Sequence, residues 1–136
     1  MLLNELFNQP LPWKWTTNDD GEMIAEFTTD TTPYWISFVR HDMAEEDADL
    51  WDVEFGVEGV NYPKNMEVTG SGDASTVFAT VIDIIRAFTR THRAIILVFS
   101  AQGASRNKLY DRLTKRLSPR VEITPGPGGT RYLIRT

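Results

Sequence analysis

The run DASTVFATVIDIIRAFTRTH, residues 73–92, is followed at 94–101 by AIILVFSA. Val77, Val81, Ile84, Ile85 and Phe88 recur at helical spacing, and Phe78 and Ile82 broaden the apolar stripe. The pattern predicts an amphipathic helix, with Ser71 or Asp73 as its N-cap. Arg86, Arg90, His92 and Arg93 suit the negative end of its dipole. AIILVFSA has no polar alternation, which is the mark of a strand covered on both faces. A long helix feeding such a strand is a crossover into a sheet, and crossovers of this kind are right-handed.

Upstream, the rhythm is that of strands. WKWTT from Trp13 and MIAEFTT from Met23 flank the turn signal Asn18-Asp19-Asp20-Gly21. YWISFVRH follows Pro33, and LWDVEFGV follows the acidic loop DMAEEDAD. In the last strand Trp51, Val53, Phe55 and Val57 share one face, while Asp52, Glu54 and Glu58 belong to the other. These four segments predict an antiparallel meander with one wet, acidic face. A short helix in LNELFNQ, stopped by Pro10 and Pro12, precedes them. Downstream, SRNKLYDRLTKRL predicts a second amphipathic helix with Leu109, Tyr110, Leu113 and Leu117 inward. RVEIT and TRYLIRT predict a closing hairpin around PGPGG. The expected fold is one α+β domain over residues 1–136, with a mixed, mainly antiparallel sheet and flanking helices.

With 136 residues and 41% hydrophobic content, the chain can bury a core without staples. It has no cysteine, which excludes disulfides and thiolate-bound metals. His41 and His92 lie far apart, and no metal site is expected. No apolar run approaches the roughly 20 residues of a membrane helix. MLLNELFNQP lacks the basic start of a secretion signal. A cytoplasmic protein without a membrane partner is the expectation.

The net charge of −5 is unevenly spread. Residues 1–60 hold 14 acids against Lys14 and Arg40, a balance of −12; residues 61–136 hold 12 Lys and Arg against 5 acids, a balance of +7. Either the halves neutralise each other within the domain, or they face outside partners. The acidic half suits a basic protein or amine; the basic half suits phosphates. Lys108, Arg112, Lys115, Arg116 and Arg120 form a basic helix face, but no nucleic-acid motif accompanies them, so nucleic acid is the weaker alternative. Contact of one copy's acidic face with another's basic face would give a homo-oligomer.

Between the meander and the long helix lies EVTGSGDASTVF, residues 67–78. Gly70 and Gly72 allow the backbone amides of Thr69, Gly70, Ser71, Gly72 and Asp73, with Ala74 and Ser75 at the helix start, to surround an anion. The same glycines also serve an empty strand-to-helix turn, and the carboxylates of Glu67 and Asp73 oppose a phosphate.

The order of elements, the Gly70-x-Gly72 turn and Leu109-Tyr110 in the second helix resemble the GNAT superfamily of acyl-CoA N-acyltransferases. That family carries Gln/Arg-x-x-Gly-x-Gly/Ala at the turn and Asn-x-x-Ala-x-x-Leu-Tyr in the later helix. This chain departs from it at Glu67, Gly103 and Arg106. The resemblance implies binding of acetyl-CoA or another acyl-CoA at Thr69–Ser75, Tyr110 as the acid that protonates the departing thiolate, and Glu54 or Glu58 as the base. Arg106, near the inward stripe, is suited to gripping a phosphate or pairing with a meander carboxylate. The run from Val77 to Leu113 is also similar to small uncharacterised proteins of tailed phages, which implies the host cytoplasm as location and a host protein as a partner.

Overall fold

The computed structural model describes residues 9–30, 32–41, 49–57, 74–92, 95–101, 104–118, 120–126 and 129–136. It has seven strands and two helices in these segments, in the order β1 (Lys14–Asp19), β2 (Glu22–Thr28), β3 (Pro33–Arg40), β4 (Asp49–Val57), α1 (Ala74–Thr91), β5 (Ile95–Ala101), α2 (Ala104–Leu117), β6 (Val121–Gly126) and β7 (Gly129–Arg135). The strands form one sheet in the order β1-β2-β3-β4-β5-β7-β6. Only β4 and β5 pair in parallel. The domain is thus α+β with a mostly antiparallel sheet. The expected N-terminal helix falls, but for Gln9, outside the described residues.

The meander forms where alternation predicts it. Asp20 and Gly21 connect β1 to β2, and Asp19 pairs with Glu22 across that connection. Met23, Ala25 and Phe27 on β2, Tyr34, Ile36 and Phe38 on β3, and Trp51, Val53 and Phe55 on β4 form one buried face. On β5, Ile95, Leu97 and Phe99 continue that face, while Ile96 and Val98 are equally buried on the other with Leu50. The unbroken apolar run therefore does mark a strand covered on both sides. At the far edge Gly126 pairs with Gly129, whose φ of 120° few residues with a side chain adopt.

Both described helices pack on a single face of the sheet rather than on both. Val77, Val81, Ile84, Ile85 and Phe88 of α1 and Tyr110 and Leu113 of α2 belong to the same core as the inner face of the strands. The reason lies in the strand order. β4, β5 and β6 run in one direction and succeed one another toward the same edge, so crossovers of one hand deliver both helices to one side.

An aromatic cluster locks α1 to the meander. Phe88 stacks on Phe38 with centroids 4.1 Å apart and meets Trp51 edge-on at 5.0 Å. Its far face stacks on His92 at 4.2 Å. Two hydrogen bonds tie the segment before β1 to the same helix. The Leu11 amide donates to Thr80 Oγ1 and Trp13 Nε1 donates to Asp83 Oδ2, both at 2.9 Å. Thr80 is fully buried and its hydroxyl also donates to the Thr76 carbonyl, so a polar group inside the core is satisfied twice.

Candidate functional site

The residues singled out in the sequence are spread over β4, α1 and α2 or lie outside the described residues. Glu58 and Thr69, Gly70, Ser71, Gly72 and Asp73 lie outside the described residues. Ala74 opens α1, directly after Asp73, and Ser75 is exposed in its first turn. Arg106 is the third residue of α2, where the side chains of residues 104–107 are outside the description. Glu54 and Tyr110 are both described, and the sheet separates them.

Glu54 follows directly on the point where β4 and β5 part. The parallel ladder runs from Asp49–Ile95 to Val53–Phe99. Beyond it β4 continues to Val57, still paired with β3, and β5 continues to Ala101, still paired with β7. The described sheet therefore opens between Glu54–Val57 and Ser100–Ala101, bounded by a ladder on each outer side. Glu54 points away from the helices, opposite Ser37, and is exposed. On that same face His41 Nε2 pairs with the carboxylate of Asp52, two residues before Glu54.

Tyr110 lies on the inner side of this opening. It is fully buried, and its ring meets Phe99 edge-on at 5.6 Å and Phe55 at 6.0 Å. Phe55 and Phe99 flank the end of the parallel ladder, so Tyr110 sits beneath the divergence. It contacts Tyr132 at 6.3 Å. Burial, and then the Asp111 carboxylate, push the Tyr132 hydroxyl above its ordinary pKa of 10.0. Tyr132 is thus held in its neutral form. The structure brings Tyr110 and Glu54 to one opening but to its opposite sides.

Sequence reasoning missed a second concavity. A cavity of about 560 Å³ lies between α1 and α2 on the outer side of the helix pair. Ser75, Phe78, Ala79, Ile82, Asp83 and Arg86 line it from α1, Leu109, Arg112 and Arg116 from α2, with Pro10 at its rim. The α1 positions recur at three- and four-residue intervals, a signal that was legible. Their meeting with α2 was not, because it depends on how two separate helices dock. The Arg112 guanidinium lies 5.5 Å from the centroid of the Phe78 ring.

Among the described residues no group of three or more His, Asp or Glu could hold a metal, and no helix is long and apolar enough to cross a membrane. Residues 21–124 match the model of a family of unknown function (DUF6934), and the chain belongs to that family. The match covers both sides of the sheet opening and every described cavity residue except Pro10. No curated protein and no solved structure matches the chain.

Proposed function

We propose that this DUF6934 protein is a GNAT-like acyl-CoA-binding protein that acylates a basic acceptor through the opening between β4 and β5. The observation that carries the reading is the parallel ladder that stops at Val53–Phe99 while both strands run on. Backbone polar groups facing such an opening are disposed to hydrogen-bond an extended, amide-bearing ligand, as a sheet edge does. The pantetheine arm of coenzyme A is such a ligand, and its thioester supplies an activated acyl group.

Each residue's part follows from its side of the sheet. Glu54, exposed on the outer face, accepts the proton that an attacking amine must lose. Tyr110, buried beneath the divergence, donates its phenolic proton to the departing thiolate. The acidic outer face, with Asp52 and Glu54 on β4 and Glu22 and Glu26 on β2, attracts a cationic acceptor. Thr69–Asp73, which precede α1 in the sequence, receive the phosphates.

Calorimetry with acetyl-CoA tests the reading. Binding is expected below millimolar concentration, and Tyr110→Phe should retain it while lowering transfer to a polyamine by about 10²-fold. Absence of heat at millimolar acetyl-CoA removes the acyltransferase. The alternative, a non-catalytic module that binds a host protein or nucleic acid, is favoured by the arginine-lined cavity on the helices.

A further inference from the structure

From the cavity between α1 and α2, we infer a docking groove for an acidic, amphipathic helical segment of a partner protein. Its length, shape and charge each point there. Along α1 the lining runs from Ser75 to Arg86, about 16 Å at the helical rise, or roughly three turns of a docked helix. Both flanking helices run antiparallel to β5, hence in the same direction, and a trough between two such helices accepts a third. The floor is apolar, with Phe78, Ile82 and Leu109, and it takes apolar side chains at helical spacing.

The rims are cationic. Arg86 on one wall and Arg112 and Arg116 on the other make no ion pair with any described carboxylate. The single acid among the described lining residues, Asp83, already accepts a hydrogen bond from Trp13 Nε1. Three guanidiniums facing one engaged carboxylate favour an anionic occupant, and their forked donors match carboxylates in pairs.

Nucleic acid fits less well. Stacked bases need an open aromatic face, and Arg112 occupies the face of Phe78. A phosphate backbone leaves the apolar floor without a partner. Lys108 and Lys115 of α2 are absent from the described groove lining, whose basic residues are all arginines. The inference rests on the groove's own lining and not on acyl-CoA, although Ser75, which lines the groove, also adjoins the residues proposed to receive the phosphates.

The full-length protein, titrated with a fluorescein-labelled peptide of Glu and Leu patterned to give one apolar helical face, tests it by anisotropy. Binding is expected at low salt, with at least about tenfold weakening in Arg112→Gln/Arg116→Gln. Arg112→Glu/Arg116→Glu should instead bind the same peptide with Lys in place of Glu, a rescue that shows the variant is folded. Equal binding of a scrambled peptide, or none of the patterned one, overturns the docking groove. Displacement by an oligonucleotide assigns it to nucleic acid, and displacement by acetyl-CoA assigns it to the cofactor; either overturns the proposal. Binding seen only after removal of residues 1–8 overturns it as well, because the chain's own N-terminus would then be the occupant. Loss of acetyl-CoA binding alone leaves it standing.

Discussion

The four meander strands and the segment from α1 to β7 share one sheet and one core, yet they differ in how they use charge. Asp19, Glu22, Glu26, Asp49, Asp52 and Glu54 lie on the first set of strands, against Lys14 and Arg40. The two helices carry Arg86, Arg90, Arg106, Lys108, Arg112, Lys115 and Arg116 against Asp83 and Asp111. Opposite charge invites a view of the halves as electrostatically fastened. The described ion pairs do not support it. His41–Asp52 lies within the meander, and Lys115–Asp111 and Arg135–Glu122 lie within the second half. Among the described residues, what crosses the boundary is the β4–β5 backbone ladder, the Phe38–Phe88 stack with the wider aromatic cluster around it, and the two hydrogen bonds from Leu11 and Trp13 to α1. The halves join by backbone pairing and packing rather than by described ion pairs, which leaves their charges available to partners.

That contrast can be broken most forcefully at Phe88. Phe88→Ala removes the ring that Phe38, Trp51 and His92 contact, and should cost about 3–5 kcal/mol in urea unfolding. A loss under 1 kcal/mol would mean that packing does not join the halves. Trp13→Phe keeps most of the ring but leaves Asp83 Oδ2 without its donor; a loss of about 1–2 kcal/mol is expected by the same measurement. The smallest effect should come from salt. With no described ion pair across the boundary, raising sodium chloride to about 0.5 M should change stability by less than about 1 kcal/mol. A steep fall would restore the electrostatic view.

Much of the architecture was legible because two periodicities do most of the work. The stripe Val77, Val81, Ile84, Ile85, Phe88 is buried throughout, and the alternation of β4 puts Trp51, Val53 and Phe55 in the core with Glu54 outside. Periodicity also shows its limit. Leu109, on the inward stripe of α2, is only partly buried, because it borders the groove. Leu50 is buried on the face where alternation predicts water, because Ile96 and Val98 meet it there. Neither the placement of β7 between β5 and β6 nor the common side of the helices is written in any local pattern. The candidate site divides the same way. Tyr110 and Glu54 were visible as residues, but their positions on opposite sides of one opening depend on the parallel pairing of distant strands. The arginines of the groove were visible as a charged helix face, and the concavity they line arises only when α1 and α2 dock.

The parallel pairing has a further consequence for the order of assembly. β1 to β4 pair with their neighbours in sequence, each ladder closing a short loop. The β4–β5 ladder closes across residues 58–94, the longest closure in the sheet. Loop entropy and contact order set such a contact last among the ladders, after the hairpins and after α1 has found the meander. The seam is also brief, with five paired positions before the strands separate. A junction formed late and held by few pairs is the natural place for the sheet to loosen first, so hydrogen exchange should be fastest there among the interior strands.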